Sequence, residues 1–171
     1  MERMIIDVKV GKVLREFIIS TNGSEVLDPQ KDTLLWCRVK QHLLLQPAHY
    51  VRITDRSEYI SIIMRGTRAG RTYNIDYGRN LQVHTLFRSY LDESGQSAIK
   101  TVLEKEFKKT FRDYMKGCLN NNDKMKIIDA IEEFCMDHNI TLINISISTL
   151  QKDWYRYRLK CSLNNVCPLI F

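Results

Sequence analysis

Glycine and proline are scarce in this chain of 171 residues, seven and three respectively. That argues against a turn-dense all-β sandwich unless asparagine supplies the bends. No stretch approaches the about 18 uninterrupted apolar residues that a membrane-spanning helix needs. The opening MERMIIDVKV breaks its apolar positions with charges and has no small-residue cleavage site, so no signal peptide is expected. Histidine is rare too. His42, His49, His84 and His138 form neither an H-x-H pair nor an H-E-x-x-H helix motif. Glycine-rich phosphate loops and the G-x-S-x-G turn are also missing. His84, Arg88 and Tyr90 superficially resemble a strand-transfer site, but the histidine-to-arginine spacing is one residue longer than in tyrosine recombinases. The expectation is a protein without catalytic residues, metal or cofactor.

Cysteine is present but unorganised. Cys37, Cys118, Cys135, Cys161 and Cys167 are five, an odd number, and scattered. The pattern fits thiols acting as small hydrophobes in a reducing cytoplasm, the expected location. One metal reading exists, since Cys135, His138, Cys161 and Cys167 give C-x2-H…C-x5-C. Its spacing matches no common zinc finger, and Cys135 and Cys161 fall in phase with apolar stripes.

What the chain does have is apolar content and positive charge. Hydrophobic residues make up 44% and charged residues 27%, with a net charge of +6 and a pI near 9.1. A folded core is expected, in an α+β fold with an antiparallel sheet packed against helices. Two subdomains are expected inside one compact domain: an α+β part over 1–95 and a helical part over 96–171.

The periodicity predicts a first strand over Met4 to Val10 and a helix from Lys12 to about Thr21, ended by Asn22-Gly23. Asp28-Pro29 is expected to open a second helix, with Leu35, Val39, His42 and Leu43 buried and Pro47 as its stop. Val51 and Ile53, a turn at 55–57, and Tyr59 to Met64 read as a hairpin. Thr72 to Tyr77 alternates as a strand. The spacing from Asn80 to Leu91 favours a helix, although Leu81 to Val83 fits a strand equally well. A long amphipathic helix is predicted from Ser97 to Lys116 with Gly117 as its stop, then another from Asp123 to His138. Ile143, Ile145 and Ile147 suggest a short strand or extended linker, and Ser148 a cap for a last helix ending near Cys161.

That last helix is the most informative segment. At about 100° per residue, Leu150, Trp154, Tyr157 and Cys161 form one buried stripe. Lys152, Tyr155, Arg156 and Lys160 lie on the outer face, with Arg158 and Gln151 on a flank. Cations on an exposed helix displace counterions from phosphates, and arginine or glutamine can pair with base edges. A preceding helix gives a helix-turn-helix-like layout, although His138 to Ser148 is longer than the three or four residues that motif uses.

The runs DAIEEFC (Asp129 to Cys135) and ISISTLQKDWYRYR (Ile145 to Arg158) resemble the C-terminal segment of uncharacterised proteins carried by bacteriophages and integrated mobile elements. The resemblance covers about the last 45 residues. It implies a phage or mobile-element setting and carries over no catalytic residues.

A second basic zone holds Arg52, Arg56, Arg65, Arg68, Arg71 and Arg79, with no lysine among them. The guanidinium fork suits phosphate oxygens, and Arg65 to Thr72 (RGTRAGRT) reads as a loop able to lie along a backbone. By contrast, Lys105, Lys108, Lys109, Arg112 and Lys116 of the long helix read as an ordinary solvated face. The function expected is non-catalytic DNA binding. Lys152, Tyr155, Arg156, Arg158 and Lys160 would meet the duplex, and Arg65, Arg68, Arg71 and Arg79 its phosphates. Trp154 and Tyr157 would hold the helix in place. The partner is then nucleic acid, as double-stranded DNA, with no membrane. The alternative is a protein-interaction module, such as a virion component or inhibitor, docking through its basic surface and the apolar tail Val166 to Phe171.

Overall fold

The computed structural model describes residues 3–45, 53–65, 89–122 and 124–163. Strand β1 (Arg3–Lys9) is followed by α1 (Lys12–Asn22), β2 (Val26–Leu27), α2 (Leu34–His42) and β3 (Leu44–Leu45). Next come β4 (Tyr59–Arg65), β5 (Ser89–Tyr90), α3 (Glu93–Asn121), α4 (Ile127–Asp137) and α5 (Ile147–Leu163). The fold is α+β.

The sheet is mixed, where a purely antiparallel one was expected. Its order is β1-β4-β2, with β4 antiparallel to β1 and parallel to β2, and β3 pairs with β5 in a separate two-stranded ribbon. Strand β4 therefore takes β1 as its partner, and Ile53 lies outside any strand. The physical reason is a match of alternations. Met4, Ile6 and Val8 stand opposite Met64, Ile62 and Ile60, and all six are buried. Side chains of a strand alternate between faces, so this register alone hides both apolar sets together. The other face carries Asp7 opposite Ser61 and Lys9 opposite Tyr59.

Helix α1 forms as predicted. Gly23 ends it in the left-handed region at φ 70°, donating its amide to the Ile19 carbonyl. A side chain there is strained, which is why glycine closes helices this way. Helix α2 starts later than Asp28-Pro29. Asp32 takes φ 68°, which no helix interior tolerates, and Thr33 becomes the cap by accepting from the Trp36 amide. Trp36, Val39 and Leu43 are then the buried positions, with Leu35 and His42 half-buried.

Helix α3 overruns both expected ends. Asp92 caps it, its Oδ1 accepting from the Gly95 amide at 2.7 Å. At Gly95 a Cβ would lie 3.0 Å from the His42 Cβ and 3.1 Å from Leu91, so the missing side chain lets α2 approach α3. Gly117 does not stop the helix. Met115 is fully buried, and Cys118 and Leu119 pack on the core, so the last turn is anchored past the glycine. The chain leaves the helix at Asn122, whose carbonyl accepts from the Met125 amide, and α4 accordingly begins at Ile127 instead of Asp123.

Helix α3 packs on β1, α1, α2, α4 and α5, and the core forms around it. Phe134 of α4 lies against Phe107, Phe111 and Tyr114 of α3 with centroids at 6.0, 5.1 and 5.3 Å. Phe17 of α1 meets Phe107 edge-on at 5.1 Å. Ile143 is 94% exposed, and its neighbourhood is a turn-rich connection, not a strand. Glu16 of α1 pins that connection by accepting from the Thr141 amide and hydroxyl and from the Asn144 side chain, all within 2.9 Å. Residues 66–88 and 164–171 lie outside the described residues, and with them the expected strand over 72–77, most of the 80–91 segment and the tail Val166 to Phe171. Ser89 and Tyr90, the described end of that segment, are strand.

Candidate functional site

Helix α5 is capped by Ser146, not Ser148. The Ser146 hydroxyl accepts from the Thr149 amide at 3.3 Å and its carbonyl from the Leu150 amide at 3.4 Å. Cap geometry fixes the helix start, and Ile147 becomes its first residue. The predicted stripe then faces inward. Leu150 and Trp154 are buried, Tyr157 and Cys161 half-buried.

A polar clamp sets the rotation of α5 on α3. Arg112 grips Asp153 with both arms of its fork, Nε at 3.0 Å and Nη2 at 2.9 Å. The same guanidinium lies 4.9 Å from the Tyr157 ring centre, and the Lys116 ammonium lies 5.1 Å from it on the next turn. Two-point guanidinium–carboxylate contacts fix orientation as well as distance. Arg112 and Lys116, one turn apart on α3, thus hold Asp153 and Tyr157, one turn apart on α5. Trp154 lies alongside, 5.8 Å from Tyr157.

The clamp has an electrostatic consequence. Asp153 is the one acid between Lys152 and Lys160, and Arg112 neutralises it at the flank. Lys152, Arg156 and Lys160 are exposed and, among the described residues, make no ion pair. Tyr155 is 49% exposed beside them. Arg158 is half-buried on a flank of the helix and has interactions of its own. Four of the five sequence-predicted residues on this helix thus share its solvent face.

Two residues that border the candidate face are not singled out by the sequence pattern. Arg112 and Lys116 were assigned to an ordinary solvated face, yet they border α5, and Lys105 and Lys109 continue the same row along α3. The available signal was the solitary Asp153 within a basic helix, which asks for a cation from elsewhere.

The arginine zone is only partly placed. Arg65 stands opposite Arg3 at the end of β4, whereas Arg68, Arg71 and Arg79 lie outside the described residues, as does Arg52. Arg56 is not free surface charge. It holds Asp7 through both arms at 3.3 and 2.9 Å and the Ser61 hydroxyl at 2.7 Å, and this bonding holds its proton more firmly still.

Cys135 is buried and Cys118 and Cys161 half-buried, as small hydrophobes are, whereas Cys37 is exposed and Cys167 lies outside the described residues. Burial pushes the Cys118 and Cys135 thiols above their ordinary range, which disfavours the thiolate a metal needs. His138 sits between Phe17 and Phe134, centroids at 5.2 and 4.5 Å. No group of three potential metal ligands occurs among the described residues. An open cleft of about 850 Å³ lies between β1, the 53–59 segment and the start of α3. Its Glu58 pairs with Lys9 at 3.2 Å, its Asp92 caps α3, and its Gln96 amide bonds the Asp7 carbonyl and the Lys9 amide of β1. These groups are committed to holding the fold. No helix among the described residues is long and apolar enough to cross a membrane. Comparison with family models, with curated proteins and with solved structures finds no match.

Proposed function

We propose that the protein is a non-catalytic nucleic-acid-binding protein that meets the phosphates of double-stranded DNA with the solvent face of α5. The observation that carries this is the row Lys152, Arg156 and Lys160, which recurs at every fourth residue and is free of carboxylate partners among the described residues. Lys105 and Lys109 extend the positive surface along the neighbouring helix. The resemblance of residues 129–158 supports a phage or mobile-element setting, in which an accessory or regulatory role fits.

Phosphate contacts release counterions, so affinity must fall with salt. Neutralising four to six phosphates gives a slope of about −4 to −5 in log affinity against log salt. Replacing Lys152, Arg156 and Lys160 together by glutamine removes about three contacts and flattens that slope by roughly 2.7. Labelled duplex titrated at several salt concentrations measures both. Absence of binding at low salt, or a triple variant with an unchanged slope, rejects the reading.

A second reading has its own observation. Leu159 and Leu163 are 63% and 76% exposed on the same helix, and phosphates offer them nothing. Apolar surface of this kind favours a protein partner.

A further inference from the structure

The solvent face of α5 consists of two parallel rows. Lys152, Arg156 and Lys160 form one. Tyr155, Leu159 and Leu163 form the other, displaced by three residues, with exposures of 49%, 63% and 76%. At about 100° per residue the rows stand roughly 60° apart around the helix axis. Rows of this spacing are the ridges of an α-helix, and the channel between two of them accepts the ridge of a second helix.

The fold does not need the second row. Helix α5 already buries Leu150 and Trp154 against the core, and Asp153 and Tyr157 fix its rotation on α3. Three large apolar side chains in succession toward water are therefore left without an internal role among the described residues. Their neighbours define what covers them. A partner seated on Leu159 and Leu163 brings one flank against three cations whose nearby acid, Asp153, is already held by Arg112. An acidic flank makes that approach favourable, whereas a basic one is repelled, because like charges brought together at an interface oppose association.

We infer that the two rows of α5 form a docking channel for an acidic amphipathic helix of a partner protein, and that such a helix displaces nucleic acid from Lys152, Arg156 and Lys160. The partner's apolar stripe lies on Tyr155, Leu159 and Leu163, and its carboxylates reach the basic row. Displacement rests on the nucleic-acid reading above, whereas docking stands without it.

The test uses the full chain and two labelled probes. One is a DNA duplex. The other is a synthetic helix-forming peptide with leucines on one face and glutamates along one flank, alongside a counterpart with glutamine for glutamate. All substituted positions are exposed, so the variants keep the fold. The L159S/L163S variant is expected to lose about tenfold or more in peptide affinity, while its duplex affinity stays within about twofold. The R156Q/K160Q variant should weaken both, and unlabelled acidic peptide should release bound duplex. Peptide binding without duplex binding supports the docking channel and removes the nucleic-acid reading instead. The inference is overturned if the wild type ignores the acidic peptide, or binds the glutamine counterpart equally well. It is also overturned if L159S/L163S weakens duplex and peptide alike, or if the leucines instead carry the chain onto phosphatidylserine vesicles while the peptide fails.

Discussion

His138 shows how a single side chain ties stability to pH. Its ring is packed between Phe17 and Phe134, and burial holds its pKa below the ordinary histidine value, with Asp137 opposing in part. The folded chain thus binds the proton less readily than the unfolded chain. As pH drops below about 6.5, the unfolded state takes up a proton that the native state refuses, and stability declines. The decline continues until the folded pKa is reached, at no more than about 1.4 kcal/mol per pH unit for one proton. Urea unfolding of wild type and H138Q at several values between pH 7.5 and pH 5 measures it. The wild type should lose stability over that interval, and the variant should lose less. Parallel curves would mean that His138 is not the titrating group. Its position at the end of a helix and its i,i+4 neighbour Phe134 were legible in the sequence, but the contact with Phe17 comes from α1, more than a hundred residues earlier, and no local pattern reports it.

At the level of elements, apolar periodicity located most helices, and their ends were decided by capping chemistry that spacing does not encode. Two serines precede α5, and both are reasonable caps by type. The structure selects Ser146, because its hydroxyl reaches the Thr149 amide while Ser148 already lies within the first turn. S146A should therefore cost about 1 kcal/mol, whereas S148A should stay within about 0.5 kcal/mol of wild type. Urea denaturation of the two variants checks this, and the reverse order would restore Ser148 as the cap. The sheet was legible in the same partial way. The alternations of Met4 to Val8 and Ile60 to Met64 identified both strands, yet nothing local to either says they pair with each other. A hairpin with the segment at Val51 and Ile53 was the nearer choice; Val51 lies outside the described residues, Ile53 is in no strand, and β4 pairs with β1 and β2 instead. The candidate site followed the same rule. Lys152, Tyr155, Arg156 and Lys160 come from one helix and are found by its period. The clamp of Arg112 and Lys116 joins two helices, and only the assembled fold brings it together.

For the whole molecule, the question is whether an α+β part and a helical C-terminal part melt separately. The buried apolar side chains belong to one connected cluster that reaches from Met4 and Val8 through Trp36 and Phe107 to Leu150 and Trp154. Helix α3 lies across the expected division, touching β1 and α2 on one side and α4 and α5 on the other. Glu16 adds a polar tie between α1 and the connection leading into α5. A shared core of this kind predicts a single cooperative transition. The chain supplies its own reporters, since it has two tryptophans, Trp36 in α2 and Trp154 in α5. Both indole N–H groups are buried without a hydrogen-bond partner among the described residues, so replacing either by phenylalanine sacrifices packing but no hydrogen bond. In W154F, the fluorescence of Trp36 should follow the same urea curve as the far-ultraviolet circular dichroism of that variant. In W36F, the fluorescence of Trp154 should do likewise. Comparing each variant with itself removes the cost of the substitution from the test. A Trp154 signal that changes at lower urea than the ellipticity would show α5 detaching before the rest, and the docking face would then belong to a separately unfolding unit.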